Sequence, residues 1–351
     1  MTATPARARR RPPGAPKAGG SKAGGSKSGG SKAGGRTRQI LLHMGAHKTG
    51  STTLQQTFAR HRIALIHTGT RYIGGGQPYP SLYSAFLDDP MRFEFNRLSG
   101  LPAARIREID AARMETLAER LSRVKAPFAV LSNEYLALLA PQEMARLRDF
   151  LSRFGEVHAV YYYRELHSWI SSDSQQLAKA GFRSEPTRFE TGLARIHAFP
   201  LKIAEVFGPR AHFLKFEEAR QSGICDSLLA EFGRPTLRAL GLDEAVENRS
   251  ISQAAVEALF RYNAEHPRGS PGRCRSHVAR LAALPGPKYQ APPFSAEQIA
   301  LYAARRAEVA EALGLRLAPP AALPREPGPL RRRLQVLRRW VPGRSEERRV
   351  G

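Results

Sequence analysis

Between Ile40 and Gln55 the chain reads Ile-Leu-Leu-His-Met-Gly-Ala-His-Lys-Thr-Gly-Ser-Thr-Thr-Leu-Gln, and this stretch constrains the fold more tightly than any other. The apolar run Ile40, Leu41, Leu42 predicts a buried strand. A loop bounded by Gly45 and Gly50 follows, and the hydroxyl cluster Ser51, Thr52, Thr53 opens a predicted helix. A strand that ends in a glycine loop and a helix N-terminus is built to hold an anion. The loop amides can face it, and the first helical turn adds unpaired N–H groups and a partial positive charge.

Gly45 and Gly50 have the spacing of the phosphate loop of nucleotide triphosphatases, and Thr52 falls where that loop places its magnesium-binding hydroxyl. Ser51, however, occupies the lysine position, and the cation has moved into the loop as Lys48. With His47, Lys48, Thr49, Gly50, Ser51, Thr52 and Thr53, the segment resembles the 5′-phosphosulfate loop of sulfotransferases that use 3′-phosphoadenosine 5′-phosphosulfate (PAPS). It is most similar to the bacterial and carbohydrate-modifying branches, where the form His-Lys-Thr-Gly-Ser-Thr-Thr-Leu-Gln is familiar. The resemblance spans roughly Gln39 to Ser252 and implies that these seven residues contact the donor nucleotide.

Downstream, predicted strands and helices alternate. Thr70 to Ile73, Phe128 to Leu131, Val157 to Tyr163 and Ala211 to Phe216 read as strands. Ala103 to Val124, Pro141 to Phe154, the segment after Arg164 to about Ala180, Thr187 to Phe207 and Glu218 to Phe232 read as helices. Gln77 to Gly100 is rich in Pro and aromatic residues without a clean period and reads as a substrate-side insertion or loop. This alternation predicts an α/β fold, a P-loop-type parallel β-sheet flanked by helices on both faces. Ligands of such sheets bind outside the carboxyl ends of the strands.

Two further polar clusters fall at those ends. Arg164 follows the strand of Tyr161 to Tyr163, and Ser172 lies eight residues on, about two helical turns, so the two can converge on one anion. The resemblance implies that Arg164 and Ser172 hold the 3′-phosphate of PAPS, with Ser171 and Ser174 as alternatives in register. Ser132-Asn133-Glu134 follows the Phe128 strand, where family members carry a catalytic base. Glu134 would take the proton from an acceptor hydroxyl, with His47 as the alternative base, while His43 and His67 read as packing or incidental residues. Lys48 would stabilise charge on the leaving phosphate. Because a transferring sulfuryl group carries less charge than a phosphoryl group, no metal is expected. His212 to Glu218 and Glu247 to Ser252 resemble later family segments without a specific contact to assign.

The net charge of +24 over 351 residues is concentrated at the ends: Met1 to Arg38 holds ten Lys/Arg and no acid, and Arg325 to Gly351 holds nine against three. About +8 remains for the middle, so charge describes the tails more than the fold. Residues 1–37 are a Lys/Gly/Ser-rich low-complexity segment with a five-residue period, expected to be a disordered tether. Residues 38–252 read as the sulfotransferase-like domain, 253–324 as its helical extension and 325–351 as a second basic tail. Within that tail Leu330, Leu334, Leu337 and Val341 share one face of a possible amphipathic helix. It would dock on an anionic membrane or an acidic partner, pack on its own domain, or stay unstructured.

Two cysteines, Cys225 and Cys274, provide no disulfide framework, and neither a secretory leader nor an 18-residue apolar run is present. A cytosolic protein is expected, and the Arg/Ala/Gly/Pro-heavy composition suggests a bacterial source. The expectation is a PAPS-dependent sulfotransferase acting on a hydroxyl of a small molecule or glycan, a carbohydrate or glycolipid by resemblance. The competing readings are a P-loop kinase or NTPase using Mg-ATP and a basic nucleic-acid-binding protein. Ser51 and the Arg164/Ser172 pair oppose the first, and the absence of a recognisable reading motif opposes the second.

Overall fold

The computed structural model describes residues 38–75, 79–245 and 250–317. The basic segments 1–37 and 325–351, with the amphipathic stretch from Leu330, lie outside the described residues, as do Gly76 to Pro78 and Val246 to Arg249 of the late family-like segment.

Five strands form one sheet: β1 (Gln39–His43), β2 (Thr70–Tyr72), β3 (Phe128–Ser132), β4 (Glu156–Tyr163) and β5 (Ala211–Lys215). They run in the order β2-β3-β1-β4-β5, with every pairing parallel. Strand β1 lies in the middle, with His43 in register with Ser132 of β3 on one side and Val160 of β4 on the other. The chain leaves β1 toward β2 and returns past it to β4, so the carboxyl end of β1 is a topological switch point.

Helices cover both faces of the sheet. The first half supplies α1 (Ser51–Arg60), α2 (Arg62–His67), α3 (Ser81–Ser84), α4 (Glu94–Leu98), α5 (Ala103–Ser122) and α6 (Pro141–Ser152). Next come α7 (Leu166–Ala180), α8 (Phe189–Phe207), α9 (Phe216–Ser222) and α10 (Ile224–Glu231), and then α11 (Gln253–Glu265), α12 (Arg275–Ala282) and α13 (Ala296–Leu313). Side chains alternate across a strand, so a parallel sheet buried on both faces needs apolar residues in unbroken runs. Accordingly Ile40, Leu42, Leu131, Ala159 and Tyr161 join one core with Leu117, Leu147 and Ile203. Leu41, Val130, Val160 and Tyr162 join the other with Leu54, Phe58 and Leu228. A third cluster packs Leu166, Trp169 and Ile170 of α7 and Leu193 of α8 against Phe294 and Tyr302.

The sheet and its helices follow the sequence reading, with three local differences. Gln77 to Gly100 reads as an irregular insertion, yet its described part contains α3, α4 and a short 3₁₀ turn at Pro90–Arg92. A helix of four or five residues is too short to impose a hydrophobic period. The helix expected over Glu218 to Phe232 is two helices, broken at Gly223, whose φ of +108° no helix accepts. The helix expected from Thr187 begins at Phe189. Among the described residues no helix is long and apolar enough to cross a membrane.

Candidate active site

The loop between β1 and α1 is clamped from both neighbouring strands. Met44 N donates to Val160 O at 2.9 Å, Tyr162 N donates to Gly45 O at 2.8 Å, and on the far side Asn133 N donates to His43 O at 3.0 Å. Two glycines make this clamping possible. Gly45 has φ +97°, and a Cβ there would lie 3.3 Å from Cα and Cβ of Glu134. Gly50 has φ +83°, and a Cβ there would lie 3.1 Å from Ile224 Cγ1. Lys48 also sits in the left-handed region, at φ +67°. A residue with a side chain pays ~1–3 kcal/mol for such a conformation, which persists where surrounding contacts fix it.

The interior of this loop presents donors without acceptors. No side chain caps α1. Among the described residues, the backbone N–H groups of Lys48 to Thr53 donate to no protein acceptor. The Ser51 hydroxyl is buried and has no hydrogen-bond partner, while Thr52 and Thr53 are half-buried beside it. Buried polar groups are normally satisfied, so an unpartnered hydroxyl among open amides at a helix N-terminus is a donor set that suits an anion. The Thr49 hydroxyl is engaged differently: it turns into the loop and donates to Ala46 O at 2.5 Å, holding the bend.

Strand β4 and helix α7 form the other wall. Arg164 stands at the end of β4, buried, with its guanidinium 4.5 Å over the Phe216 ring. Its Nε donates to Ser168 Oγ at 3.0 Å, and Nη1 donates to the Lys48 carbonyl. Ser168, Ser172 and Gln176 follow at four-residue intervals, one stripe along α7. At its far end Gln176 Oε1 accepts from Lys48 Nζ at 3.3 Å. Ser172 therefore lies between the Arg164 and Lys48 contacts, half-buried, and its hydroxyl has no partner among the described residues. The two alternatives in register are occupied. Ser171 Oγ donates to His167 O and accepts from Ala291 N, and Ser174 Oγ accepts from Thr187 N.

The electrostatics fit the geometry. Burial pushes Lys48 down to about 8, and the neighbouring Lys179 and Arg164 push it in the same direction against Asp173 and Glu134. Burial also lowers Arg164 to about 10, with Arg220 adding to the effect and Glu217 opposing it. Lys288 is lowered first by desolvation and then by Arg220 and Arg164. Cations that lower one another's proton affinity in partly desolvated surroundings suit an anionic ligand.

Glu134 closes the third side. It opens the 3₁₀ turn Glu134–Leu138 after β3, half-buried, and accepts from Gln55 Nε2 of α1 at 3.1 Å. Burial raises its carboxyl above the ordinary range, with the Gln55 hydrogen bond and the Lys48 charge opposing the shift. His47, the alternative base, makes no hydrogen bond from its ring to Glu134, Lys48 or Arg164. Its ring packs edge-on against Tyr135 at 4.9 Å, and Trp169 Nε1 donates to its carbonyl at 3.0 Å. Burial first, then Arg195 and Lys48, hold its imidazole down at about 3 and therefore neutral. His43 is a buried packing residue against Tyr162, and His67 is exposed on α2.

Lys48 and Arg164 are thus brought together with the α7 stripe of Ser168, Ser172 and Gln176, and Glu134 lies within electrostatic reach of Lys48; Gly50 to Thr53 continue from that loop into α1, and Thr49 holds its bend. Sequence reasoning missed Gln55, Ser168, Gln176, Lys179, Arg220 and Lys288. Four-residue spacing from Arg164 would have found Ser168 and Gln176, and helical spacing from Ser51 would have found Gln55. Lys288 approaches through an antiparallel bridge between itself and Ser252, a contact that no local pattern announces.

No family model matches the sequence, and no curated protein matches it. Among solved structures, the chain is similar to the sulfotransferase domain from the Synechococcus PCC 7002 olefin synthase, at 11% identity over 80% of this chain and 96% of that one, with a TM-score of 0.33. It is also similar to retinol dehydratase in complex with androsterone and the inactive cofactor PAP, at 13% identity over 80% of this chain and 82% of that one, with a TM-score of 0.31.

Proposed function

We propose that this chain is a sulfotransferase that moves a sulfuryl group from PAPS to an acceptor hydroxyl, carried by a carbohydrate or glycolipid. The observation that carries the reading is the meeting of two cationic groups, Lys48 and Arg164, with one carboxylate of raised proton affinity, Glu134. Lys48 and the open amides of Ser51 to Thr53 form one wall, Arg164 and Ser172 the other, and Glu134 lies beside Lys48.

PAPS, when bound, supplies the sulfuryl group, with a 5′-phosphate as its leaving group and a 3′-phosphate as a handle. The residues present suit such a donor: the orphaned Ser51 hydroxyl and the loop amides would hold the 5′-phosphate, and Arg164 with Ser172 would hold the 3′-phosphate. Lys48 offsets charge that develops at the leaving oxygen. Its lowered proton affinity still leaves it largely protonated at neutral pH. Glu134 accepts the proton of the acceptor hydroxyl, and raising a carboxyl toward neutrality makes it a stronger base while it remains ionised. The neutral His47 imidazole shapes the wall without carrying charge.

A kinase or NTPase of the usual P-loop form relies on a lysine at the position of Ser51, where this chain has a buried hydroxyl without a hydrogen-bond partner. Thermal shift with 3′,5′-adenosine bisphosphate, Mg-ATP and short duplex DNA separates the readings. Stabilisation by the bisphosphate, lost on Lys48→Ala, is the expected result. Stabilisation by Mg-ATP without the bisphosphate would overturn it in favour of phosphoryl transfer. The carbohydrate or glycolipid acceptor rests on the His-Lys-Thr-Gly loop form, and a screen of glycans against hydroxylated small molecules tests it.

A further inference from the structure

Gln55 is buried on α1, one turn beyond Ser51, and its amide makes a specific set of contacts. Nε2 lies 3.1 Å from Glu134 Oε2, 3.2 Å from Ser132 Oγ and 3.5 Å from Ser132 O. A carboxylate only accepts, so the amide must present its NH₂ to Glu134 and cannot be turned over. Ser132 Oγ in turn contacts His43 Nδ1 at 2.8 Å, deep in the sheet. Glu134 is thereby tied through Gln55 to two rigid elements, the helix that begins at the anion loop and the strand from which Glu134 itself emerges.

We infer that Gln55 is a positioning residue for Glu134: it anchors one carboxylate oxygen to α1 and leaves the remaining lone pairs of the carboxylate for the acceptor hydroxyl. The inference rests on the reading of Glu134 as the base. It also explains a choice of residue type. A glutamate at position 55 would set two carboxylates against each other at hydrogen-bond distance, and an apolar side chain would leave the buried carboxylate with one donor fewer. The charged and titratable groups around Glu134 are Lys48 from the loop, Tyr72 from β2 and the adjacent Tyr135. Both tyrosines are pushed up by burial first and stay neutral, so the ionised carboxylate is favoured by the backbone amide of Glu134 itself, then by Gln55, then by Lys48.

The test is a carboxyl-¹³C NMR titration of protein labelled at glutamate, with Glu134→Gln identifying the resonance. In Gln55→Met the Glu134 midpoint is expected to move up by about one pH unit, a tenfold change in proton affinity. In Gln55→Glu it should move up at least as far. Thermal shift by 3′,5′-adenosine bisphosphate should persist in both, because Gln55 touches neither phosphate wall. A midpoint that stays in place in a variant that still binds the bisphosphate overturns the inference; a purely structural role would lower stability without moving it. Should the methionine variant not fold, the isosteric glutamate variant decides. If the wild-type protein ignores the bisphosphate, the functional reading fails while the Gln55–Glu134 titration is still read, so the two failures are distinguishable.

Discussion

Replacing Lys48 by methionine should stabilise the ligand-free protein and abolish its response to the nucleotide. Methionine keeps the length and the apolar stem and removes the charge. Lys48 titrates near 8 instead of 10.5, a gap of about 2.5 pH units, so holding it protonated in the folded chain costs up to ~3 kcal/mol. Partial solvent access and the lost contact to Gln176 reduce the recoverable part to roughly 1–2 kcal/mol, which raises Tm by about 2–4 °C in a domain of this size. The sign with pH follows from the lowered affinity. Below about pH 8 the wild type carries the full cost. As pH rises from about 8 to 10.5 the cost disappears, so the advantage of the variant shrinks to nothing above that window. With 3′,5′-adenosine bisphosphate at a hundred times its Kd, the wild type should gain ~2.7 kcal/mol. Loss of a desolvated cation facing a phosphate costs ~2–5 kcal/mol of affinity, enough to erase that gain. Differential scanning fluorimetry from pH 6 to 11, with and without the bisphosphate, reads both effects. A variant that is less stable than wild type without ligand, yet still responds fully to the bisphosphate, would refute the assignment of Lys48 to an anion site.

Four other outcomes are expected. Glu134→Gln should bind the bisphosphate with unchanged affinity in calorimetry but lose transfer by roughly 10²–10⁴-fold in a radiolabelled sulfate assay. In the same assay the wild-type rate should fall with decreasing pH at a midpoint above the ordinary carboxylate range, because the raised carboxyl must be ionised to accept a proton. Ser172→Ala should weaken 3′,5′-adenosine bisphosphate by roughly 10–100-fold while leaving 5′-AMP almost unaffected, since it removes one hydrogen bond to a charged group at the 3′ end. Turnover should survive EDTA, and a magnesium requirement that persists through controls would contradict the charge argument for sulfuryl transfer.

The sheet and the anion loop were legible because they are local. Ile40 to Thr53 carries its strand, its glycines and its hydroxyls in consecutive positions, and helix α1 spans Ser51–Arg60 as its periodicity suggests. The placement of Arg164 at the end of β4 and of Ser172 on α7 was readable for the same reason, since the two are only eight residues apart. What escaped was set by contacts across the chain. Gln55 acquires its role from Glu134, 79 positions away. Lys288 joins the cations around Arg164 through a single bridge to Ser252. The internal bond of Thr49 depends on a loop bend that residue type alone does not reveal. Short helices such as α3 and α4 escaped because they bury residues through tertiary contact and not through a repeating stripe.

Glu165, the residue next to Arg164, accepts from the Tyr302 hydroxyl and pairs with Arg306 Nη2 at 2.8 Å, a contact between positions separated by 141 residues. During biosynthesis at about 5–20 residues per second, roughly seven to thirty seconds pass between the making of Glu165 and the arrival of its partners. Until Tyr302 and Arg306 have been made, the carboxylate next to Arg164 lacks the two side chains that hold it, even after Phe216 and Ile224 have packed against Arg164 and Gly50. Nucleotide capture should therefore be among the last properties the nascent protein acquires, and truncations that stop short of Arg306 should fold their sheet while failing to mature the cleft.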